Sequence, residues 1–193
     1  MSALIAMIVA YLLGSLSASI IIAKILKTPD PRTAGSGNAG ATNVLRLSGK
    51  KQAALVLIGD TFKGLVAVWI AHILHVVRLD LGLVAFAAVV GHIYPIYFNF
   101  KGGKGVATAV GAILGLSFIS GVLMAASWAA IAFVTRYSSL ASLISVILAP
   151  IFLIIFSQSP FFFPAILIAA LVIWKHKDNI ARLQNKTENK IKF

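Results

Sequence analysis

The chain contains no cysteine, so it can form no disulfide, offer no thiol nucleophile and build no cysteine metal cluster. It is also short of charge: 11% of its 193 residues are charged against 60% hydrophobic, and mean hydropathy is +0.97. A soluble domain of this length needs more polar surface, and the composition is that of an integral membrane protein. Acidic residues are the scarcest, 5 against 17 lysines and arginines, for a net charge of +12. In a membrane protein this excess marks basic cytoplasmic loops first and anionic partners second. Nucleic acid is not an expected partner, because the basic residues are scattered between apolar segments and no reader module is present. The N-terminal apolar stretch lacks a basic start and exceeds a signal-peptide core, so it is expected to remain as the first span. No internal repeat or low-complexity tract is evident.

About 20 apolar residues suffice for one crossing, and runs over residues 2–23, 53–77, 81–96, 139–156 and 161–174 meet or approach that length. The run over 106–134 is long for one crossing and short for two. Charge decides it. Lys24 and Lys27 follow the first span, which places them in the cytoplasm and Met1 outside. A single crossing over 106–134 would then leave Arg136 and the basic tail, Lys175, Lys177, Arg182, Lys186, Lys190 and Lys192, outside. Two short helices meeting at residues 117–121 repair this. The expected architecture is an all-α integral membrane protein, one domain over 1–193, with seven transmembrane helices, the fourth and fifth short. Its N-terminus lies outside and its C-terminus in the cytoplasm, with all but Arg78 and Lys63 of the 17 basic residues on the cytoplasmic side.

Two glycine-rich stretches interrupt the apolar runs on that side. Phe100-Lys101-Gly102-Gly103-Lys104-Gly105-Val106-Ala107-Thr108 combines three glycines with two lysines ahead of an apolar segment. Backbone N–H groups freed of side chains, a helix N-terminus and two ammonium groups make a phosphate cradle; the alternative is a glycine hinge with lysines marking the membrane surface. Lys104 is followed by glycine instead of serine or threonine, so the stretch is no Walker A loop. The earlier loop, residues 27–52, carries Gly35-Ser36-Gly37-Asn38-Ala39-Gly40-Ala41-Thr42-Asn43 and then Arg46. Its interleaved hydrogen-bonding side chains again suit phosphate or glycerol oxygens. It also matches a dinucleotide-binding glycine pattern, with Asp60 farther on, but that pattern needs a preceding strand and a βαβ unit.

Other polar groups lie within or beside the spans. Asp60 and Lys63 share a helical face and can pair. His92, just before Pro95, is either a base or a hydrogen-bonded structural group. Ser139 and Ser142 lie one turn apart, suited to phosphate or to close helix packing. His176, Asn179 and Arg182 recur at three-residue intervals and share a face if the last helix continues. His75 and Asp80 have the His, four residues, Asp spacing found in thioester-dependent glycerolipid acyltransferases, where the histidine acts as base, but the expected topology puts them outside, away from both glycine loops, so the spacing is read as coincidence.

The glycine stretches, with Gly91-His92, Pro95, His176, Asn179-Ile180 and Arg182-Leu183, closely resemble the bacterial acyl-phosphate:glycerol-3-phosphate acyltransferases, the PlsY family. The resemblance covers nearly the whole chain and includes Asp60 and Lys63; Tyr94, Lys175 and Lys186 depart from the expected pattern. It implies transfer of a fatty acyl group from acyl phosphate to the first hydroxyl of glycerol 3-phosphate, giving lysophosphatidic acid and phosphate. The expected setting is the cytoplasmic face of a bacterial inner membrane, with membrane lipids and the two substrates as partners. An acyl phosphate is already activated, so no covalent intermediate, metal or cofactor is chemically required. On this reading Lys104, His92, Ser36 and Asn38 serve the reacting centre, the base being His92 or the donor's own phosphate. Gly37, Thr42, Asn43, Arg46, Lys63, Lys101, Gly102, Gly103, Thr108, Ser139, Ser142, His176, Asn179 and Arg182 serve substrate binding. The competing class is a transporter or channel for a phosphorylated anion, which the missing repeat and the one-sided polar residues disfavour.

Overall fold

The computed structural model describes residues 1–157 and 159–191, and Lys192 of the basic tail lies outside the described residues. Among the described residues the chain is helical throughout, with no strand. Ten α-helices follow one another: α1 (Ser2–Gly14), α2 (Ala18–Ile25), α3 (Ala41–Ser48), α4 (Lys50–Ile73), α5 (Arg78–Ile93), α6 (Val106–Leu116), α7 (Phe118–Thr135), α8 (Ser138–Phe156), α9 (Phe162–Lys175) and α10 (Lys177–Gln184). By length and composition α4, α5 with the 3₁₀ turn after it, α7 and α8 are each able to cross a membrane. The pairs α1 with α2, bent by 40°, and α9 with α10, bent by 60°, raise the number of candidate spans to as many as 6.

The first span is therefore not one continuous helix over residues 2–23. Its apolar run hides a break at residues 15–17, made by partners distant in sequence. Lys63 Nζ on α4 donates to the Leu16 carbonyl (2.7 Å), and the Ala18 N–H points to Asp60 Oδ1 (3.4 Å). Backbone groups that a helix would have satisfied internally are met from α4, which is what lets a span break without leaving them bare. The break expected within residues 117–121 falls at Ser117, whose Oγ accepts from the Ser120 N–H. The preceding helix, α6, is short at 11 residues, about 16 Å. The following one, α7, runs 18 residues, about 27 Å, and is not short as expected, because the break lies at the very start of the window. The loop over 27–52 likewise contains α3, and α4 begins at Lys50, before the expected 53.

Small residues set the closest packing. A Cβ on Gly111 of α6 would lie 1.8 Å from the Thr61 carbonyl oxygen of α4, and one on Gly64 of α4 would lie 2.3 Å from that of Thr108 on α6. Each helix thus presents a glycine to the other's backbone, the way apolar helices approach when burial against lipid gives no driving force. Large apolar side chains such as Leu4, Phe62, Trp69, Phe133 and Ile154 point outward and are exposed, while the interior is built from Ala, Val and Ile. The two glycine-rich loops and the described part of the basic tail gather at one end of the bundle, where α4 and α8 begin and α5 and α9 end.

Candidate functional site

Gly105 opens α6 at φ +90°, a left-handed value that only glycine adopts without strain. The three residues ahead of it are placed by His92. The Gly103 N–H donates to the His92 carbonyl (3.2 Å), and a Cβ on Gly103 would lie 2.2 Å from His92 Nε2. Close approach of the loop to α5, more than freely turned N–H groups, is what Gly103 serves. With the loop seated there, Lys104 Nζ donates to Asn179 Oδ1 on α10, whereas Lys101 is exposed.

Asn179 belongs to a polar cluster built from four stretches. Its Nδ2 donates to Glu188 Oε1 (2.7 Å), Ser139 Oγ of α8 donates to the same oxygen (2.8 Å), and Arg182 Nε donates to Glu188 Oε2 (2.7 Å). The Glu188 side chain is 7% exposed and that of Arg182 40%. Burial opposes ionisation of Glu188, but the three hydrogen bonds outweigh it and hold the carboxyl below its ordinary value. Burial also pushes the Lys104 ammonium down to about 8, aided by the charge of nearby Arg182 and opposed by Glu188 and Asp178.

The tail that carries Glu188 is fastened along its length. Arg46 donates to the Asn189 carbonyl (3.2 Å), the Lys190 ammonium lies 5.4 Å over the Tyr137 ring, and Ile191 is buried with Ala132 and Ala141. Glu188 was not among the expected site residues. The signal was present, for it is the only glutamate in the chain and sits within the basic tail.

The 60° bend after α9 falls at His176, which is buried with Nδ1 2.7 Å from the Val172 carbonyl oxygen. Asn179 and Arg182 lie together on α10 and meet at Glu188; His176 sits behind them at the bend. Ser142 is buried one turn along from Ser139; its hydroxyl donates to the Ser138 carbonyl (2.8 Å) and accepts from Trp128 Nε1 (3.1 Å). Thr42 Oγ1 is 2.9 Å from Ser138 Oγ, which ties the first glycine loop to the start of α8. Within that loop Gly35 and Gly37 adopt positive φ, and Asn43 is the internal clamp. Its Nδ2 is shared among the carbonyls of Pro31, Ala34 and Asn38, and its Oδ1 accepts from the Ser36 N–H (2.9 Å). The Ser36 side chain is exposed and Asn38 half-buried.

Lys63, His92 and Thr108 lie deeper. Lys63 pairs with Asp60 (2.8 Å), and Asp60 Oδ1 is 3.5 Å from His92 Nδ1, close in charge but without hydrogen-bond geometry. Thr108 is fully buried, with no hydrogen-bond partner for its Oγ1. His75 and Asp80 are exposed at the turn between α4 and α5, one length of α5 away from the glycine loop.

Residues 4–186 match the family profile described as glycerol-3-phosphate acyltransferase. The chain is 52% identical over 193 residues to the glycerol-3-phosphate acyltransferase of Coxiella burnetii, covering 100% of both, and 46% identical over 184 residues to that of Colwellia psychrerythraea, covering 95% of this chain and 93% of the relative. Crystal structures of PlsY, an integral membrane glycerol 3-phosphate acyltransferase, in a glycerol 3-phosphate form and a lysophosphatidic acid form superpose with TM-scores of 0.92 and 0.90 at 42% identity, covering 100% of this chain and 96% of theirs. These matches set aside the transporter reading: the chain is a multi-pass membrane acyltransferase of the PlsY, glycerol-3-phosphate acyltransferase, family.

Proposed function

We propose that the protein transfers a fatty acyl group from acyl phosphate to the 1-hydroxyl of glycerol 3-phosphate, at the cytoplasmic face of a bacterial inner membrane. The observation that carries this reading is the convergence of Ser139, Asn179 and Arg182 on one oxyanion, the Glu188 carboxylate, with Lys104 joined to that cluster through Asn179. A site that holds a carboxylate so well offers charge-assisted donors of the kind that hold phosphate. The first backbone N–H groups of α6, which have no partner inside the helix, add to it. Ser36, Asn38, Thr42, Arg46 and Ser142 flank this centre and hold phosphate or glycerol oxygens. The apolar groove between α1, α2 and α4, about 370 Å³ and lined by Leu16, Ile21, Leu55, Phe62 and Val66, takes the alkyl tail.

In the reaction the 1-hydroxyl oxygen forms the ester bond to the acyl carbonyl carbon, the bond from that carbon to the phosphate oxygen breaks, and the hydroxyl proton passes to the departing phosphate. The donor's phosphate is the base, since His92 is buried with one ring nitrogen facing Asp60 and the other beneath Gly103. Lys104 stabilises the charge that grows on the leaving phosphate, and no acyl-enzyme is needed because the donor is a mixed anhydride. The test supplies purified protein with glycerol 3-phosphate and, separately, palmitoyl phosphate, palmitoyl-CoA and palmitoyl-acyl carrier protein. Lysophosphatidic acid from palmitoyl phosphate alone, with one phosphate released per ester, is expected; turnover from either thioester at an equal rate overturns the donor assignment.

A further inference from the structure

The proposed chemistry leaves unused three ionisable side chains in the bundle interior. Asp60, Lys63 and His92 are 2%, 7% and 5% exposed, and they occupy the junction of three structures that must stay in register. Lys63 and Asp60 hold the broken first span through Leu16 and Ala18. Asp60 faces His92 Nδ1 at 3.5 Å. On its other side the same imidazole lies against Gly103, and its backbone carbonyl accepts the Gly103 N–H. A side chain rotating out of place would strike Gly103, the residue next to Lys104.

We infer that Asp60 is a positioning residue for acyl transfer: it fixes the His92 ring, and the ring fixes the Gly102–Gly103 backbone that aims Lys104 at the departing phosphate. Lys63 neutralises the carboxylate and anchors it to the helix break. This rests on the proposed role of Lys104, and it assigns the buried ion pair a part in catalysis beyond fold stability. An ion pair that served packing alone would be replaceable by apolar residues of similar volume.

The discriminating experiment compares two charge-free pairs, Asp60→Leu/Lys63→Met and Asp60→Asn/Lys63→Met, with Lys104→Ala beside them, by thermal transition and by kcat and KM for glycerol 3-phosphate. Asn retains an oxygen that faces His92, and Leu does not. Both pairs are expected to melt near the parent, but kcat of the Leu/Met pair falls about a hundredfold, the scale of a misplaced catalytic group. Its KM stays within about threefold, because the loss lies in the transition state. The Asn/Met pair recovers most of kcat. Equal kcat for the two pairs, at parent or reduced level, overturns the inference. If neither pair folds, Gly103→Ala, which crowds the ring from the loop side with the ion pair intact, must show the same loss in kcat, and parent kcat there overturns it. Parent activity in Lys104→Ala would instead remove the reading on which the inference stands.

Discussion

The protein carries two clusters of opposed charge, one inside the bundle and one at its polar end, and they are built to different ends. In the inner cluster Asp60 and Lys63 are nearly unexposed, and their partners are backbone groups of the broken first span and the His92 ring. In the outer cluster Asn179, Arg182 and Ser139 gather on Glu188, which belongs to a tail segment, Lys104 joins them through Asn179, and Arg182 reaches solvent. Taking charge into a low-dielectric interior is costly, so a pair kept there fixes geometry. Donors at the surface can exchange one oxyanion for another. An uncompensated charge left in the first cluster should therefore register mainly in stability, and a donor removed from the second mainly in rate.

The largest effect expected is on stability. Lys63→Met strands Asp60 without its counter-charge and should cost about 3–5 kcal/mol, read as a lowered thermal transition, more than the charge-free double replacements cost. Lys104→Ala should leave that transition near the parent and lower kcat by about a hundredfold or more, the range for losing one donor to a transition-state oxyanion. Glu188→Ala leaves Arg182, Asn179 and Ser139 without their common acceptor and should cost about 1–3 kcal/mol, visible as earlier proteolysis of the tail. The pH profile sharpens the contrast. Lys104 is charged below its pKa of about 8 and neutral above it, so kcat/KM should fall roughly tenfold per unit once pH passes that value. Lys104→Arg, charged throughout, should lose that alkaline limb. The smallest effect is at Lys101, exposed beside the same loop, where alanine should change kcat by no more than about twofold.

Much of this arrangement is legible in the sequence because its signals are local. Two lysines among glycines ahead of an apolar segment mark the loop that carries Lys104, and the balance of basic residues requires a break in the run over 106–134, found at Ser117. What escapes local reading depends on distant contacts. Residues 15–17 look like unbroken helix until Lys63 and Asp60, more than 40 positions away, are seen holding Leu16 and Ala18. Gly103 reads as a source of a free N–H, whereas that N–H is given to His92 and the missing Cβ makes room for the imidazole. Asn43 reads as a ligand-binding amide but is engaged by its own loop's backbone, and the role of Glu188 exists only because the tail folds back onto α8 and α10.

The central claim is that the Lys104 cluster receives the phosphate that leaves the acyl donor. The most direct measurement is the single-turnover rate of ester formation from palmitoyl phosphate with saturating glycerol 3-phosphate, in the parent and in Lys104→Ala of matched thermal stability. Ester formation slowed by about a hundredfold or more in the variant is the predicted result. A variant that forms ester at the parent rate would contradict the account, because the phosphate would then leave without the residue around which the site is built.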